Sequence, residues 1–202
     1  MGWLRSMLTA SQKAKFKSTS FSHFLKFEPI VFSGQLVKCM LLKEEFHLNP
    51  NEMMFKVHNT LLKFSISDFT VITGLNYVEF PSFCNEDEIP KQLSTSSSWF
   101  CNKYFLGKSL VYHGDLYHFL AQNQVKDDND DVKLTLIFIV DYIMMSKKDN
   151  KLVDKYLWYM VGDLYMFGSF PWGRESFFLT HEYLKKALKG KHTDSEQDTN
   201  FL

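Results

Sequence analysis

His113, Asp115 and His118 bring two imidazoles and a carboxylate into one short stretch, and these are side chains that hold zinc. Five residues turn a helix through about 500°, which leaves the two histidines roughly 140° apart and off a common face. His181-Glu182 starts like a metalloprotease helix but has no second histidine at the required spacing. The run Lys126-Asp127-Asp128-Asn129-Asp130-Asp131 is acidic enough for calcium. It lacks the central glycine and closing glutamate of an EF-hand loop, so it reads as a solvated linker ending in a helix N-cap. Cys39, Cys84 and Cys101 are odd in number and far apart, with no Cys-x-x-Cys grouping, as in a chain of reduced, buried thiols. Gly107-Lys108-Ser109 echoes the end of a phosphate-binding loop, yet Asn102 stands where that loop needs glycine. Gly74 follows a helix instead of opening one, so the dipole there has the wrong sign for phosphate. These patterns predict no cofactor, no metal and no catalytic residue, with surface or structural roles for all seven histidines.

The residues that remain are suited to recognition. Phe170-Pro171-Trp172-Gly173-Arg174 sets a tryptophan and an arginine beside a turn, and these two types dominate interface energetics. Trp172 and Arg174, with Trp158 and Tyr159, form the candidate interaction surface. The competing reading is a tight corner between helices, in which Trp172 packs and Arg174 pairs with Asp163 or Glu175.

Several elements must carry these residues. Ser33 caps a helix striped by Leu36, Val37, Met40 and Leu41, which Asn49-Pro50 ends. Phe55 and Val57 alternate with Lys56, and Leu62, Phe64 and Ile66 alternate with Lys63 and Ser65; two short strands therefore meet around His58-Asn59-Thr60. Ser67 then caps a short helix over 68–73 that Gly74 terminates. Residues 80–98 mix Pro81, Pro90, acidic residues and serines, as loops do. A helix is predicted over 109–122, and a central buried one over 131–147 that is apolar nearly all round. A strongly amphipathic helix runs from Val153 to Phe167, with Trp158, Tyr159 and Tyr165 on its other side. A last helix over 175–189 closes at Gly190. The fold class is α+β, mainly α: a helical domain with one small hairpin feeding a short helix.

The chain has 202 residues, and its 23 basic and 23 acidic side chains cancel. Its 20 Phe, 9 Tyr and 4 Trp supply ample material for a core, which excludes a disordered or disulfide-stapled polypeptide. Arg5, Lys13, Lys15, Lys17 and Lys26 all precede the first acidic residue, Glu28, so residues 1–27 read as a basic flexible arm. Residues 28–190 read as a single globular domain, and 191–202 as a polar tail. The longest apolar run, 134–145, is broken by Asp141 and is too short to span a bilayer. The acid-free, serine-containing start overlaps in composition with transit peptides, but its single arginine argues against organelle import.

Two blocks carry a resemblance. Phe64-Ser65-Ile66-Ser67-Asp68-Phe69-Thr70-Val71-Ile72-Thr73-Gly74-Leu75-Asn76 resembles the hallmark of a plant-specific domain family of unknown function, number nineteen eighty-five in its series. The stretches 131–138 and 161–177, the latter with Pro171-Trp172-Gly173-Arg174, are similar to the same family's C-terminal block. The agreement extends over roughly residues 33–188. Gly168-Ser169-Phe170 replaces the Asn-Phe-like step common in the family, and Gly162 stands where an acidic residue is usual. The resemblance implies a domain often found upstream of ubiquitin-like-protein-specific cysteine protease domains, in genes related to Mutator-like transposable elements. It implies no activity and no catalytic residues. Such a protease needs a cysteine in an Asp-Cys-Gly type context, with a histidine, an aspartate and a glutamine. Cys101 is the last cysteine and lacks that context. The expectation is therefore a non-enzymatic accessory domain without the protease, located in the nucleus or cytoplasm and binding an unknown protein partner. The alternative is a DNA-associated domain that uses the basic arm.

Overall fold

The structure, a computed structural model, describes residues 2–28, 31, 33–79, 99–108, 110–122, 124–146 and 148–197. The expected loop over 80–98, with Cys84, lies outside the described residues. The chain divides into two compact units, Met1–Pro29 with Val78–Pro171, and Ile30–Tyr77 with Trp172–Leu202. The expected globular stretch 28–190 contributes to both units, each assembled from separate stretches of chain.

In the first unit, residues 2–27 are largely helical and packed where a flexible arm was expected. They form α1 (Gly2–Met7), α2 (Ala10–Phe16) and a 3-10 turn (Ser22–Lys26). Thr9-Ala10-Ser11-Gln12 is a capping box: the Thr9 hydroxyl accepts from the Gln12 N–H, and the Gln12 side chain accepts from the Thr9 N–H at 2.7 Å. Leu4, Leu8, Phe16, Phe21 and Phe24 are buried, and α2 packs on the helix Asp128–Phe138. Basic composition masked this apolar stripe. Arg5 donates to the Phe27 carbonyl at 2.7 Å and pairs with Glu28 at 3.3 Å, so part of the positive charge is used within the unit.

Residues 99–104 make α5, followed by α6 (His113–Ala121), which is shorter than expected because Tyr112 is held in an antiparallel bridge to Leu152. The central helix α7 (Asp128–Phe138) begins three residues early because Asp127 caps it, accepting from the Asn129 and Asp130 N–H groups at 2.8 and 3.1 Å. Those bonds hold the Asp127 carboxyl below its usual range. Leu134 and residues 136–140 are all buried, as expected of a helix apolar on every side. The helix then loosens into a π segment, Ile139–Met144, in which the Met145 N–H donates to the Val140 carbonyl. The single amphipathic helix expected over 153–167 is two: α8 (Lys155–Met160) and α9 (Leu164–Ser169). Gly162 permits the break, and Asp163 restarts the helix by accepting from the Tyr165 and Met166 N–H groups.

The second unit opens with α3 (Gly34–Leu41), where the Ser33 hydroxyl caps as predicted, accepting from the Leu36 N–H. The hairpin is present as β2 (Glu52–Val57) and β3 (Thr60–Ser65), and a two-residue strand β1 (Glu44–Glu45) extends it to a three-stranded antiparallel sheet in the order β1-β2-β3. Phe55 faces Leu62, and Met53 faces Phe64. Helix α4 (Ile66–Thr73) starts two residues earlier than expected because Ser65, not Ser67, caps it. Ser65 and Asp68 satisfy each other's backbone N–H groups, and Gly74 ends the helix at a left-handed φ of 68°. The final helix α10 (Trp172–Gln197) runs through Gly190, so neither the predicted stop nor a separate polar tail over 191–197 is present. Met53, Phe55, Ile66 and Phe177 make the core, with Phe64 and Phe69 packed against it.

Candidate functional site

Trp172 and Trp158 are buried, at 1% and 3% exposure, so neither offers its ring to a partner. Tyr159 and Arg174 are half-buried. Arg174 is engaged locally: its Nε donates to the Tyr77 carbonyl at 3.3 Å, across 97 positions of sequence. Beside it the Gly173 N–H donates to the Asn76 carbonyl at 2.6 Å. A Cβ at 173 would stand 2.8 Å from that oxygen and 3.0 Å from the Leu75 carbonyl, so glycine is required there by close backbone approach. The Trp-Gly-Arg step clamps the chain just after α4, and the four-residue candidate surface is largely scaffold.

Chemistry is concentrated at a pair that sequence reasoning missed. His113 Nε2 lies 2.6 Å from Asp141 Oδ2, both side chains 1% exposed, and the same oxygen accepts from the Asp154 N–H at 3.2 Å. The Asp141 carboxylate fixes the imidazole with its proton on Nε2. The signal was a lone aspartate inside an apolar run, since a buried charge demands a partner. With both groups sealed from solvent, the pair ties α6 to the π segment and offers nothing to a substrate. His118 is exposed, on a different face from His113 as the spacing required. Cys101 is buried and its thiol is pushed up by desolvation, the opposite of an activated nucleophile. Among the described residues no three His, Cys, Asp or Glu side chains are placed to hold a metal ion.

The second unit carries two hollows. An apolar groove of about 270 Å³ is lined by Val37 and Met40 of α3, Phe55 and Phe64 of the sheet, Phe69 of α4 and Leu184 of α10. A larger one, about 600 Å³, lies between the 44–50 stretch and α10, where Glu44, Glu45, Glu52, His47 and His181 meet Phe46 and Phe178. His181 Nε2 stands 2.9 Å from Glu44 Oε1, and Glu52 pairs with Lys63 at 3.4 Å.

Residues 41–182, well over half of the chain, match the family model described as Domain of unknown function (DUF1985). The chain belongs to this family. No curated protein and no solved structure matches it. The DUF1985 match begins at the end of α3 and covers the sheet, α4 and the first turns of α10, so both hallmark blocks lie inside it. Those blocks meet in space: Gly173 and Arg174 bind the backbone at Asn76 and Tyr77, and Phe177 packs on Phe64 and Phe69 with ring centroids 6.3 and 5.7 Å apart. Phe64, Phe69, Gly173, Arg174 and Phe177 of the DUF1985 hallmark blocks are thus joints of the second unit, and Phe64, Phe69 and Phe177 line its apolar groove.

Proposed function

We propose that this DUF1985 domain is a non-catalytic protein-interaction module, an accessory part of transposon-derived plant proteins of the kind associated with ubiquitin-like protease domains. The observation that carries the reading is the surface of the second unit. Phe46 and Leu48 are 89% and 87% exposed, Val71 and Ile72 are also open, and the apolar groove lies in the same unit. Exposed apolar side chains and an apolar groove within one unit favour a protein contact. The sealed His113–Asp141 pair and the raised Cys101 thiol support a role without catalysis.

The DNA-associated alternative loses support from the folded N-terminal segment. Helix α2 packs on α7, Lys15 acts on the Asp127 carboxylate, and Ser11 donates to Asp128 at 2.5 Å, so the charge of Lys15 faces an acidic helix start. No helix among the described residues is long and apolar enough to cross a membrane. The reading places the protein in the nucleus or cytoplasm. Affinity purification of the tagged chain from plant nuclear and cytosolic extract, with and without nuclease, tests it. Partners that survive nuclease are expected; partners that vanish with nucleic acid would favour the alternative.

A further inference from the structure

We infer that the open edge of β3 is a docking site for an extended segment of a partner protein, apolar with one acidic residue, which joins the sheet as a fourth, antiparallel strand. The inference rests on the reading of the domain as an interaction module and names how the partner is held. In the order β1-β2-β3, strand β3 has one neighbour. Val57 and Thr60 close a two-residue turn and so exchange both of their backbone bonds; the alternation of the ladder extends this to Phe55 with Leu62 and Met53 with Phe64. The residues between them point the other way. Two bonds show it: the Lys56 N–H leaves β3 to donate to the Lys43 carbonyl at 2.8 Å, and the Ser65 N–H leaves β2 to donate to the Asp68 carboxylate at 2.8 Å. Leu61 and Lys63 therefore aim N–H and C=O away from β2, and among the described residues nothing bonds to those four groups.

Donors and acceptors at this two-residue spacing are matched by another extended backbone. Nothing in β3 blunts its edge: the strand keeps register over six residues with no proline and no bulge, and Leu61 and Leu62 are exposed on its two faces. The opposite edge strand, β1, is two residues long. Side chains then set the partner's sequence. Leu62 lies opposite Phe55, which lines the apolar groove, so an apolar residue set against Leu62 continues that face. On the other face Lys63 pairs with Glu52, and Lys56, opposite Leu61, has no carboxylate partner among the described residues. Glu45 shares this face but stands beyond Met54, in β1, and protonation of His47, 3.9 Å from Glu52, would only add positive charge. An acidic residue against Lys63 completes this balance. A second copy of β3 laid antiparallel would instead bring another Lys63 onto the same face, diagonal to the first, which like charge opposes.

The test is titration of the full, nitrogen-15-labelled chain with the peptide acetyl-Thr-Glu-Ile-Val-Thr-amide, read by NMR at the amides of Leu61 and Lys63. Laid antiparallel, the peptide sets its glutamate against Lys63, its isoleucine against Leu62 and its valine against Leu61. Both amides are expected to shift. N-methylation of the glutamate and valine, whose N–H groups face β3, should weaken binding about tenfold or more, whereas N-methylation of the isoleucine, whose N–H points outward, should leave it unchanged. Leu61→Pro removes an outward donor at a position where an edge strand accepts proline, and is expected to weaken binding while melting close to the parent. Absence of shifts, equal binding of the two methylated peptides, or a dimer of the chain already paired through β3 overturns the inference. Failure here, with nuclease-resistant partners still captured by the chain, would remove this site and leave the interaction module standing; failure to capture such partners would remove the module itself.

Discussion

His113 and Asp141, 28 positions apart, exclude water from a charge-bearing contact, and a pair of that kind is worth most when one partner is removed. His113→Leu alone should destabilise the protein by about 3–5 kcal/mol, because it leaves the Asp141 carboxylate buried without its imidazole. Combining it with Asp141→Leu should recover much of that loss, though not all, since the Asp154 N–H then loses an acceptor. Urea unfolding of the two single variants and the double variant measures this; strictly additive losses would contradict it. A second buried carboxyl behaves differently. Asp131 lies in the first turn of α7, where the helix dipole favours its charge, yet burial, reinforced by Asp128, pushes its carboxyl up to about 6. The folded state therefore holds the proton more tightly than the unfolded chain, whose aspartate titrates near 3.8. The contribution of this group to stability is complete below that value and is lost as pH rises through about 6. Asp131→Asn removes the loss. The variant should melt above the parent at about pH 8, with the difference shrinking as the pH falls toward 4; a gap independent of pH would refute the assignment.

Among the elements, local rules explain what the sequence showed and what it hid. The hairpin was legible because Phe55, Val57, Leu62 and Phe64 alternate with polar residues, and the end of α4 was legible because Gly74 supplies the left-handed turn. The start of α4 was misplaced because the box Ser65-x-x-Asp68 outranks the lone Ser67, and α2, opened by the box Thr9-x-x-Gln12, was not foreseen because its stretch read as a basic arm. The α8–α9 break was hidden because the apolar spacing continues across Gly162-Asp163, while the Asp163 cap, a polar event, starts a new helix. The hallmark corner makes an element-scale prediction. Gly173→Ala sets a Cβ against two backbone carbonyls that cannot swing aside, and should lower stability by about 1–3 kcal/mol in thermal melting. A variant as stable as the parent would show that the corner yields freely.

At the scale of the molecule, the division into two units was not legible, because the second unit joins residues 30–77 to α10 across the whole of the first unit's larger segment. Hydrophobic periodicity reports which face of an element is buried but not which distant element covers it. The same limit left Trp172 open between an interface and a packed corner and placed Trp158 on the candidate surface; in the packed chain both are inside. The exposed residues that replace them, Phe46 and Leu48, sit in a short loop without a pattern of its own. Gly173 and Phe177, hallmark residues that hold the second unit, are distinct from Phe46 and Leu48, the loop residues proposed to meet a partner. The most direct measurement is partner recovery by tagged Phe46→Ser, with its melting temperature taken in parallel. The account predicts unchanged melting and loss of the nuclease-resistant partners, whereas full recovery of those partners by a normally folded variant would contradict it.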